Sequence, residues 1–401
     1  MYLTRLSLTE FRTFSRLDLH LPKQTMILVG SNAQGKTSIL EAINYLATLS
    51  SFNTSFDRQL INFNIPQAPI SIARIVAEYQ KHSKKHTMEI RLIQESNGAN
   101  SSIRFRKEVL LDGVKRRLGD IYGHFNAVIF LPQMSRIIEG GPSERRSYLD
   151  NLLSQVVPHY GKWISDYDKT ISQRNALLKT LAEHGGDVSQ LEVWDEMLAR
   201  SGAEIIYARI HSIKDLEQYA QRIHQRLTSG KEVFRLAYQP SYEPLPQPKG
   251  QMILPVKVHL DRSHLEMQDI QSGFQKQLHG TYREDIARGI TTLGPHRDEL
   301  RFISNQIDLG DYGSRGQART ALLSMKLAEL KWMHDKTGEW PVLLLDEIMS
   351  ELDPTRRSEV LAALTDVDQA LLTSTDPVMF GENFIHEHEI WKVDQGMVVK
   401  Q

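Results

Sequence analysis

The stretch "GSNAQGKTSIL", residues 30–40, decides the fold class of this chain of 401 residues. It places two glycines, a lysine and a threonine between the apolar run "MILV" and a helical pattern of apolar residues. In this order of strand, loop and helix, backbone N–H groups and a helix N-terminus surround a phosphate. Lys36 would then reach the β and γ phosphates, and Thr37 would ligate Mg²⁺. The stretch therefore predicts a P-loop that binds a nucleotide.

A second stretch, "PVLLLDEIMSELDP" at residues 341–354, supplies the acidic groups that such a loop lacks. Its hydrophobic strand ends in Asp346 and Glu347. We expect Asp346 to hold Mg²⁺ and Glu347 to act as the base that orients and deprotonates the attacking water. Acidic residues often end a buried strand at the surface without any catalytic role. The P-loop in the same chain favours the catalytic interpretation.

A second glycine loop lies nearly three hundred residues after the first, in "YGSRGQARTALLSMKLAEL", which begins at Tyr312. Ser314 and Gly316 stand before a predicted helix, so a hydroxyl, glycine N–H groups and the helix dipole converge on one point. Taken alone, this stretch equally fits a capped helix after a loop. Because a strand ending in Asp-Glu follows closely, the order is that of the signature motif, Walker B strand and D-loop of ABC-type ATPases.

The composition excludes several classes of protein. The chain has no cysteine, a net charge of −1 and no apolar run long enough to span a membrane, and no export signal is visible at its start. We therefore expect a cytoplasmic protein without disulfides. Any site for a polyanion must be local, and the candidates are basic stretches that would otherwise be solvated surface. They are "KHSKKH" (81–86), "RFRK" (104–107), "KRR" (115–117) and "RR" (145–146).

The order of patterns along the chain predicts an α/β fold with a helical insertion. Alternating strands dominate the first part, with Asp112-Gly113 as a hairpin turn. A long amphipathic stripe begins near Ser143, a second covers residues 191–227, and the break near residues 183–187 lets the two pack as an antiparallel pair. A third helical stretch is predicted from Ser263 to Arg288. The expected domains are residues 1–140 and 291–401, two parts of one ATPase head, and an inserted arm at 141–290.

Four segments together resemble one family. The segments "NAQGKTSILEAINYLA", "GPSERRSYLD", "LGPHRDEL" and "SRGQ" resemble, in the same order, those of the RecF family of bacterial recombination mediators, which is related to the SMC-type ATPases. The likeness extends from "FRTF" at Phe11 to the strand before Asp376. It implies an ABC-type ATPase head with a helical arm, weak DNA-stimulated ATP hydrolysis with Mg²⁺, and an ATP-dependent homodimer. It also implies binding to double-stranded and gapped DNA, and RecR and RecO-like partners in loading recombinase at gaps during repair and replication.

The resemblance also assigns site residues. Arg12 would face the base or the phosphates, and Gln133 would join Thr37 and Asp346 in sensing Mg²⁺. Ser314 and Gly316 would contact the γ-phosphate held by the other protomer, and Asp353 would cross the interface as the D-loop carboxylate. Either Ser374 or Thr375 stands where transporter ATPases place a histidine. The expected nucleotide cradle consists of Gly30, Asn32, Ala33, Gln34, Gly35, Lys36, Thr37 and Ser38.

Two questions stay open at this point. Four basic residues in the resembling segments either contact DNA or form internal ion pairs with carboxylates such as Asp150 and Asp298; they are Arg145, Arg146, His296 and Arg297. The alternatives to a repair ATPase are a nucleotide-binding subunit that energises a transporter and an SMC-like structural tether. The long insertion and "GPHRDEL" argue against the first, and the modest length of the arm argues against the second.

Overall fold

The computed structural model describes residues 1–64, 69–96, 103–246 and 260–400. The chain folds into two compact units. The first unit consists of Met1–Met134 and Glu329–Gln401, and the second of Ser135–Ala328. Within the described ranges, the structure holds no helix both long and apolar enough to cross a membrane.

The strands of the described residues are, in chain order, β1 (Tyr2–Phe11), β2 (Phe14–His20), β3 (Thr25–Val29), β4 (Ile70–Lys81), β5 (Lys84–Ser96), β6 (Ile103–Leu111), β7 (Val114–Arg116), β8 (Ala127–Phe130), β9 (Phe234–Gln239), β10 (Glu299–Ser304), β11 (Ile307–Asp308), β12 (Val342–Asp346), β13 (Ala370–Ser374), β14 (Glu389–Asp394) and β15 (Met397–Lys400). The α-helices are α1 (Lys36–Thr48), α2 (Arg136–Glu139), α3 (Pro142–Val156), α4 (Tyr160–His184), α5 (Leu191–Leu227), α6 (Met267–Gly280), α7 (Tyr282–Arg288), α8 (Leu309–Tyr312), α9 (Arg315–Thr337), α10 (Pro354–Asp366) and α11 (Glu382–Glu387).

A mostly parallel sheet in the first unit carries both the P-loop strand and the acidic strand. Its order is β15-β14-β3-β13-β12-β8, and its neighbouring strands pair in parallel except β14 and β15, which are antiparallel. Strands β8, β12 and β13 are buried at every residue, as their continuous apolar sequences predict for a sheet covered on both faces. The carboxyl ends of parallel neighbours meet at one edge of the sheet. Val29, Asp346 and Ser374 therefore end neighbouring strands at the same edge.

An antiparallel sheet of order β2-β1-β4-β5-β6-β7 shares one core with α1 and the parallel sheet. The predicted turn at Asp112-Gly113 is confirmed, since Leu111 pairs with Val114 across it. The basic stretch at 104–107 finds acidic neighbours in this unit: Arg106 lies against Glu95 and Glu108, and Lys107 contacts Asp57. Arg106 and Lys107 are therefore paired with carboxylates of the same unit.

The second unit is built on long helices. Helices α4 and α5 are antiparallel, because Arg174 of α4 contacts Asp195 of α5, whereas Tyr160, at the start of α4, contacts Arg209 farther along α5. The predicted antiparallel pair is thus present. The single stripe predicted from Ser143 onward is wrong, since it forms two helices, α3 and α4. His159, after a proline, has a φ of 65° and interrupts the helix.

The boundary between the units differs from the predicted one. Residues 291–328, predicted to belong to the ATPase head, lie in the second unit. The physical reason is a three-stranded sheet of order β11-β10-β9, in which Glu299–Ser304 pairs antiparallel with Phe234–Gln239. This pairing ties the segment to the strand that follows α5.

Candidate nucleotide site

The loop between β3 and α1 requires glycine at two positions. Gly35 caps α1 with a φ of 107°, a conformation that other residues rarely adopt. A side-chain carbon at Gly35 would lie 2.7 Å from Cζ of Phe14, and one at Gly30 would collide with the carbonyl oxygen of Val393. The first N–H groups of α1 have no acceptor within the helix. The loop thus has the close backbone turn and the free donors of a P-loop.

Lys36 is a buried cation inside this loop. Its Nζ donates to the carbonyl oxygens of Gly30 at 2.6 Å and Ser31 at 3.0 Å, and it lies 3.3 Å from Oε1 of Glu347. The Lys36 side chain is 4% exposed and that of Glu347 is 38% exposed. The ammonium is therefore fixed by the loop backbone, and the carboxylate at its side remains accessible to solvent.

The hydroxyl of Thr37 and the carboxylate of Asp346 lie side by side. Oγ1 of Thr37 lies 3.1 Å and 3.0 Å from the two carboxylate oxygens of Asp346. Burial raises the pKa of Asp346 above its ordinary value, and hydrogen bonds from Thr373 and Thr37 oppose this rise. A hydroxyl and a carboxylate are ligands that Mg²⁺ prefers, and a cation here would offset the cost of the buried charge. The residues present therefore fit a magnesium ion.

Thr373 of β13 is a site residue that the sequence reasoning missed. Its Oγ1 donates to Oδ1 of Asp346 at 2.7 Å and accepts the backbone N–H of Glu347 at 3.0 Å. Glu347 has a φ of 50°, in the left-handed region that a non-glycine residue enters only when its surroundings hold it there. One buried hydroxyl thus holds both acidic residues. The available signal was a polar residue inside the apolar strand "ALLTS".

Arg12 forms an ion pair with Glu41 of α1, a residue that the predicted site did not include. Its Nε and one terminal nitrogen each lie 2.7 Å from the carboxylate of Glu41, and its other terminal nitrogen donates to the carbonyl oxygen of Gln59. Glu41 is buried, whereas the Arg12 side chain is 21% exposed. The guanidinium is thus fixed by a bidentate ion pair at one side of α1.

The remaining residues of the predicted cradle lie on the surface of the first unit. Asn32 and Ala33 are exposed, and Ser38 is half-buried on α1. The side-chain oxygen of Gln34 accepts the N–H of Gln395 at 2.5 Å. These positions form the outer side of the loop.

Four further residues of the predicted site, two of them alternatives for one position, lie at or after the carboxyl ends of strands. Gln133 is exposed in a short 3-10 helix after β8, the neighbour of β12. Asp353 caps α10 by accepting the N–H of Arg356 at 3.0 Å, and its side chain is exposed. Of the two candidates for the position of the transporter histidine, Ser374 is buried and bonded to Asp376, whereas Thr375 is exposed.

The predicted signature loop lies in the second unit. Oγ of Ser314 accepts the N–H of Gln317 at 3.2 Å, and the side-chain oxygen of Gln317 accepts the N–H of Ser314 at 3.1 Å. This reciprocal pair is a capping box at the start of α9. Ser314 and Gly316 are exposed. The serine hydroxyl proton is not used in the capping box, so it can be donated outward.

The segment "GPHRDEL" contributes to a buried polar network in the second unit. Asp298 accepts bonds from Arg209 at 2.9 Å and from the N–H of Ser241 at 2.8 Å. His296 lies between the Tyr167 hydroxyl at 2.8 Å and the carbonyl oxygen of Thr291 at 3.1 Å. Burial lowers the pKa of His296 to about 4. The histidine is therefore held neutral inside the unit.

Arg145, Arg146 and Arg297, for which contact with DNA or internal pairing was left open, differ in exposure. Arg145 is buried and makes a bidentate ion pair with Glu299 at 2.7 Å and 2.8 Å. Arg146 is half-buried and donates to the carbonyl oxygen of Asp298 at 2.9 Å, whereas Arg297 is exposed. The ion-pair interpretation is thus favoured for Arg145, whereas the neutral His296 is hydrogen-bonded to Tyr167 and Thr291 and to no carboxylate in the described residues. Arg297 keeps the exposure that contact with DNA requires.

A family model, two related proteins and a solved structure each match almost the whole length of this chain. The family described as RecF/RecN/SMC N terminal domain matches residues 2–397. The DNA replication and repair proteins RecF of Herpetosiphon aurantiacus and Roseiflexus castenholzii are 35% and 36% identical to this chain, and in both cases the match covers 99% of each protein. The solved structure of the recombination mediator protein RecF-ATP in the RecFOR pathway has a TM-score of 0.81 and 30% identity. It covers 100% of this chain and 97% of that one.

Proposed function

The chain belongs to the RecF family, an ABC-type ATPase family of DNA replication and repair proteins, and we propose that it is an ATP-gated dimer that binds DNA at single-strand gaps. The proposed protein binds ATP with Mg²⁺, hydrolyses it weakly, and does so faster with DNA. It acts in the cytoplasm, with RecR and RecO-like proteins as partners in loading recombinase. Residues 1–140 and 291–401 are proposed as the functional head and residues 141–290 as the arm, a division that assigns residues 291–328 to the head although they pack in the second compact unit.

The proposed ATPase activity rests on a cluster of side chains at the start of α1. The hydroxyl of Thr37, the carboxylate of Asp346 and the ammonium of Lys36 come together where α1 begins, and Glu347 lies 3.3 Å from that ammonium. A phosphate chain on this loop would therefore meet a fixed cation and a pair of magnesium ligands. The carboxylate beside the ammonium would face the terminal phosphate.

Each side chain then has a distinct role. Lys36 neutralises the β and γ phosphates, and Thr37 and Asp346 hold the Mg²⁺, whose charge stabilises the phosphate oxygens. Glu347 accepts a proton from the attacking water at its carboxylate. Because the N–H of Glu347 is bonded to Thr373, the backbone that carries the base is held in place. Gln133 is proposed to contact the metal from the neighbouring strand end.

The signature loop supports the dimer part of the proposal. Ser314 and Gly316 are exposed at the start of α9, a position suited to binding the γ-phosphate of a second copy of the chain. Asp353 is proposed to cross the same interface. ATP would then join two protomers, because each protomer provides a P-loop for one nucleotide and a signature loop for the other.

The repair function draws its support from the relatives. The proteins named above are DNA replication and repair proteins, matched over nearly their whole length. This favours a repair ATPase over a transporter subunit or an SMC-like tether. Arg297 is the proposed DNA contact among the four basic residues, because it is exposed.

The test is the variant Glu347→Gln. It keeps the metal ligands and the P-loop, so ATP binding should persist while hydrolysis falls and a dimer accumulates. Sizing chromatography with and without ATP measures the dimer, and ATPase assays with and without gapped duplex DNA measure the stimulation. Failure of the variant to dimerise with ATP would count against ATP as the link between protomers. Wild-type turnover in this variant would remove Glu347 as the base.

A further inference from the structure

The signature loop is held by a chain of hydrogen bonds that reaches the end of α5. In the capping box, the side-chain oxygen of Gln317 accepts the N–H of Ser314, and the N–H of Gln317 donates to the Ser314 hydroxyl oxygen. The other end of the Gln317 amide, its Nε2, donates to Oε1 of Glu232 at 3.4 Å. Glu232 lies between α5 and β9, outside every motif that the sequence indicated. The orientation of the Gln317 amide is thus set from both of its ends.

Glu232 is itself fixed from two other elements. Its second carboxylate oxygen, Oε2, accepts the Ser304 hydroxyl of β10 at 2.8 Å and lies 3.1 Å from Nε2 of His224 on α5. His224 is fully buried, and its Nδ1 lies 3.0 Å from the Ser324 hydroxyl of α9. The carboxylate therefore joins α5, β10 and α9.

The charge of Glu232 suits this task. Burial would raise its pKa, but the hydrogen bonds from Ser304, His224 and Gln317 outweigh burial and hold the pKa below its ordinary value. An ionised carboxylate accepts bonds on both oxygens and donates none. It therefore forces Gln317 to present its N–H₂ group inward and its carbonyl oxygen to the N–H of Ser314.

We propose that Glu232 is a positioning residue for the signature loop, holding Gln317 so that Ser314 faces the nucleotide of a second copy of the chain. This rests on the proposed function, because Ser314 acts only if the ATP site is shared between protomers. Glu232 would act through Gln317 and not by contacting the nucleotide itself. Through Glu232, the geometry of the signature loop depends on the segment that follows the long helix α5.

The variant Glu232→Ala removes the acceptor, and Glu232→Gln can keep an oxygen toward Gln317. We expect Glu232→Ala to lower ATP turnover at saturating ATP about tenfold, the factor that corresponds to about 1.4 kcal/mol. Affinity of the monomer for Mg-ATP should stay at the wild-type value, because the P-loop lies in the first unit. Glu232→Gln should recover most of the turnover. The matched control is Glu243→Ala, since Glu243 lies in the same unit and pairs with Arg262.

Mixing separates a signature defect from general damage. Glu232→Ala mixed with the P-loop variant Lys36→Met should regain ATPase activity, because one site of the mixed dimer then has an intact P-loop and an intact signature loop. Glu232→Ala mixed with the signature variant Ser314→Arg should not. Should Glu232→Ala fail to fold, Gln317→Met breaks the same chain of bonds from its other end, and the same outcomes are expected.

Four results would overturn the proposal. Wild-type turnover in Glu232→Ala would show that the signature loop does not need Glu232. Loss of Mg-ATP binding by the monomer would show a general defect, as would equal loss in Glu243→Ala. Full activity of Ser314→Arg would instead remove the shared site, and with it the proposed function.

Discussion

The single hydroxyl of Thr373 contacts both acidic residues of the candidate site, although its sequence position gives it no motif. It lies opposite Asp346 in the pairing of β12 with β13, so the strand register brings it there. Asp346 is buried, which raises its pKa. The hydrogen bond from Thr373 is the strongest of the interactions that lower this pKa again. We therefore expect Thr373 to matter for hydrolysis more than for nucleotide binding.

The variant Thr373→Val keeps the shape of the side chain and removes its hydroxyl. ATP turnover should fall about tenfold, because the metal ligand loses a hydrogen bond and the base loses its backbone anchor. Thr373→Ser, which keeps the hydroxyl, should remain close to wild type. Steady-state ATPase assays at saturating Mg-ATP measure both variants. Equal turnover of Thr373→Val and wild type would show that the hydroxyl is not needed.

Stability should fall on mild acidification because of His296. The folded protein holds this histidine neutral with a pKa of about 4, whereas an unfolded histidine has a pKa of about 6.5. Below pH 6.5 the unfolded chain therefore binds more protons than the folded one, and the free energy of unfolding decreases until pH 4. The loss between pH 7 and pH 5 should be about 2 kcal/mol.

Urea unfolding at the two pH values measures this loss. His296→Asn should show a smaller difference between pH 7 and pH 5 than wild type does, because the titrating group is gone. His184→Asn is the control, since His184 is exposed, and it should keep the wild-type difference. If His296→Asn loses as much unfolding free energy between pH 7 and pH 5 as wild type does, His296 is not the group responsible.

At the residue scale, local motifs were predictable and long-range partners were not. The sequence indicated Lys36 and Thr37 through the spacing of the loop after β3, and Asp346 through the apolar strand that it ends. Thr373 and Glu41 escaped, since each acts through a contact with a residue distant in sequence. The proposed roles of the cradle and signature residues remain predictions.

At the scale of elements, the pair α4 and α5 is joined by buried charges as well as by apolar contacts. Arg174 of α4 donates to Asp195 of α5 and to Asp285 of α7, at 2.7 Å each. All three side chains have no exposed surface. Removing the arginine would leave two carboxylates buried without their counter-charge.

Arg174→Met should therefore lower the free energy of unfolding by about 3–5 kcal/mol. The control is Arg288→Ala, which breaks the exposed pair of Arg288 and Glu284 and should change stability by less than about 1 kcal/mol. Chemical denaturation followed by circular dichroism measures both. An equal, small effect of the two variants would mean that the buried charges do not hold the helices together.

The elements themselves were largely predictable, because periodicity is a local property. The stripe at 191–227 became α5, and the apolar run before Asp346 became a buried parallel strand. The break between α3 and α4 was missed although Pro158 marks it, because apolar residues continue at helical spacing across the proline. The compact units do not follow the proposed division into head and arm, because the pairing of β9 with β10 joins segments far apart in sequence.

At the scale of the whole molecule, the P-loop and the signature loop belong to different units of the chain. The P-loop lies in Met1–Met134 and the signature loop in Ser135–Ala328. The predicted fold, an ABC-type ATPase head with an inserted helical arm, is confirmed by the match to the RecF-ATP structure. We propose that each of the two loops completes the ATP site of a second copy of the chain.

Mixing two inactive variants tests this claim most directly. Lys36→Met disables the P-loop, and Ser314→Arg places a bulky cation in the signature loop, so each homodimer has two defective sites. In a mixed dimer, one site combines both defects, and the other combines the intact P-loop of one chain with the intact signature loop of its partner. We predict that mixing the two proteins with ATP restores ATPase activity. Activity that stays at the level of the separate variants, in a sample where chromatography shows that mixed dimers form, would contradict the shared site.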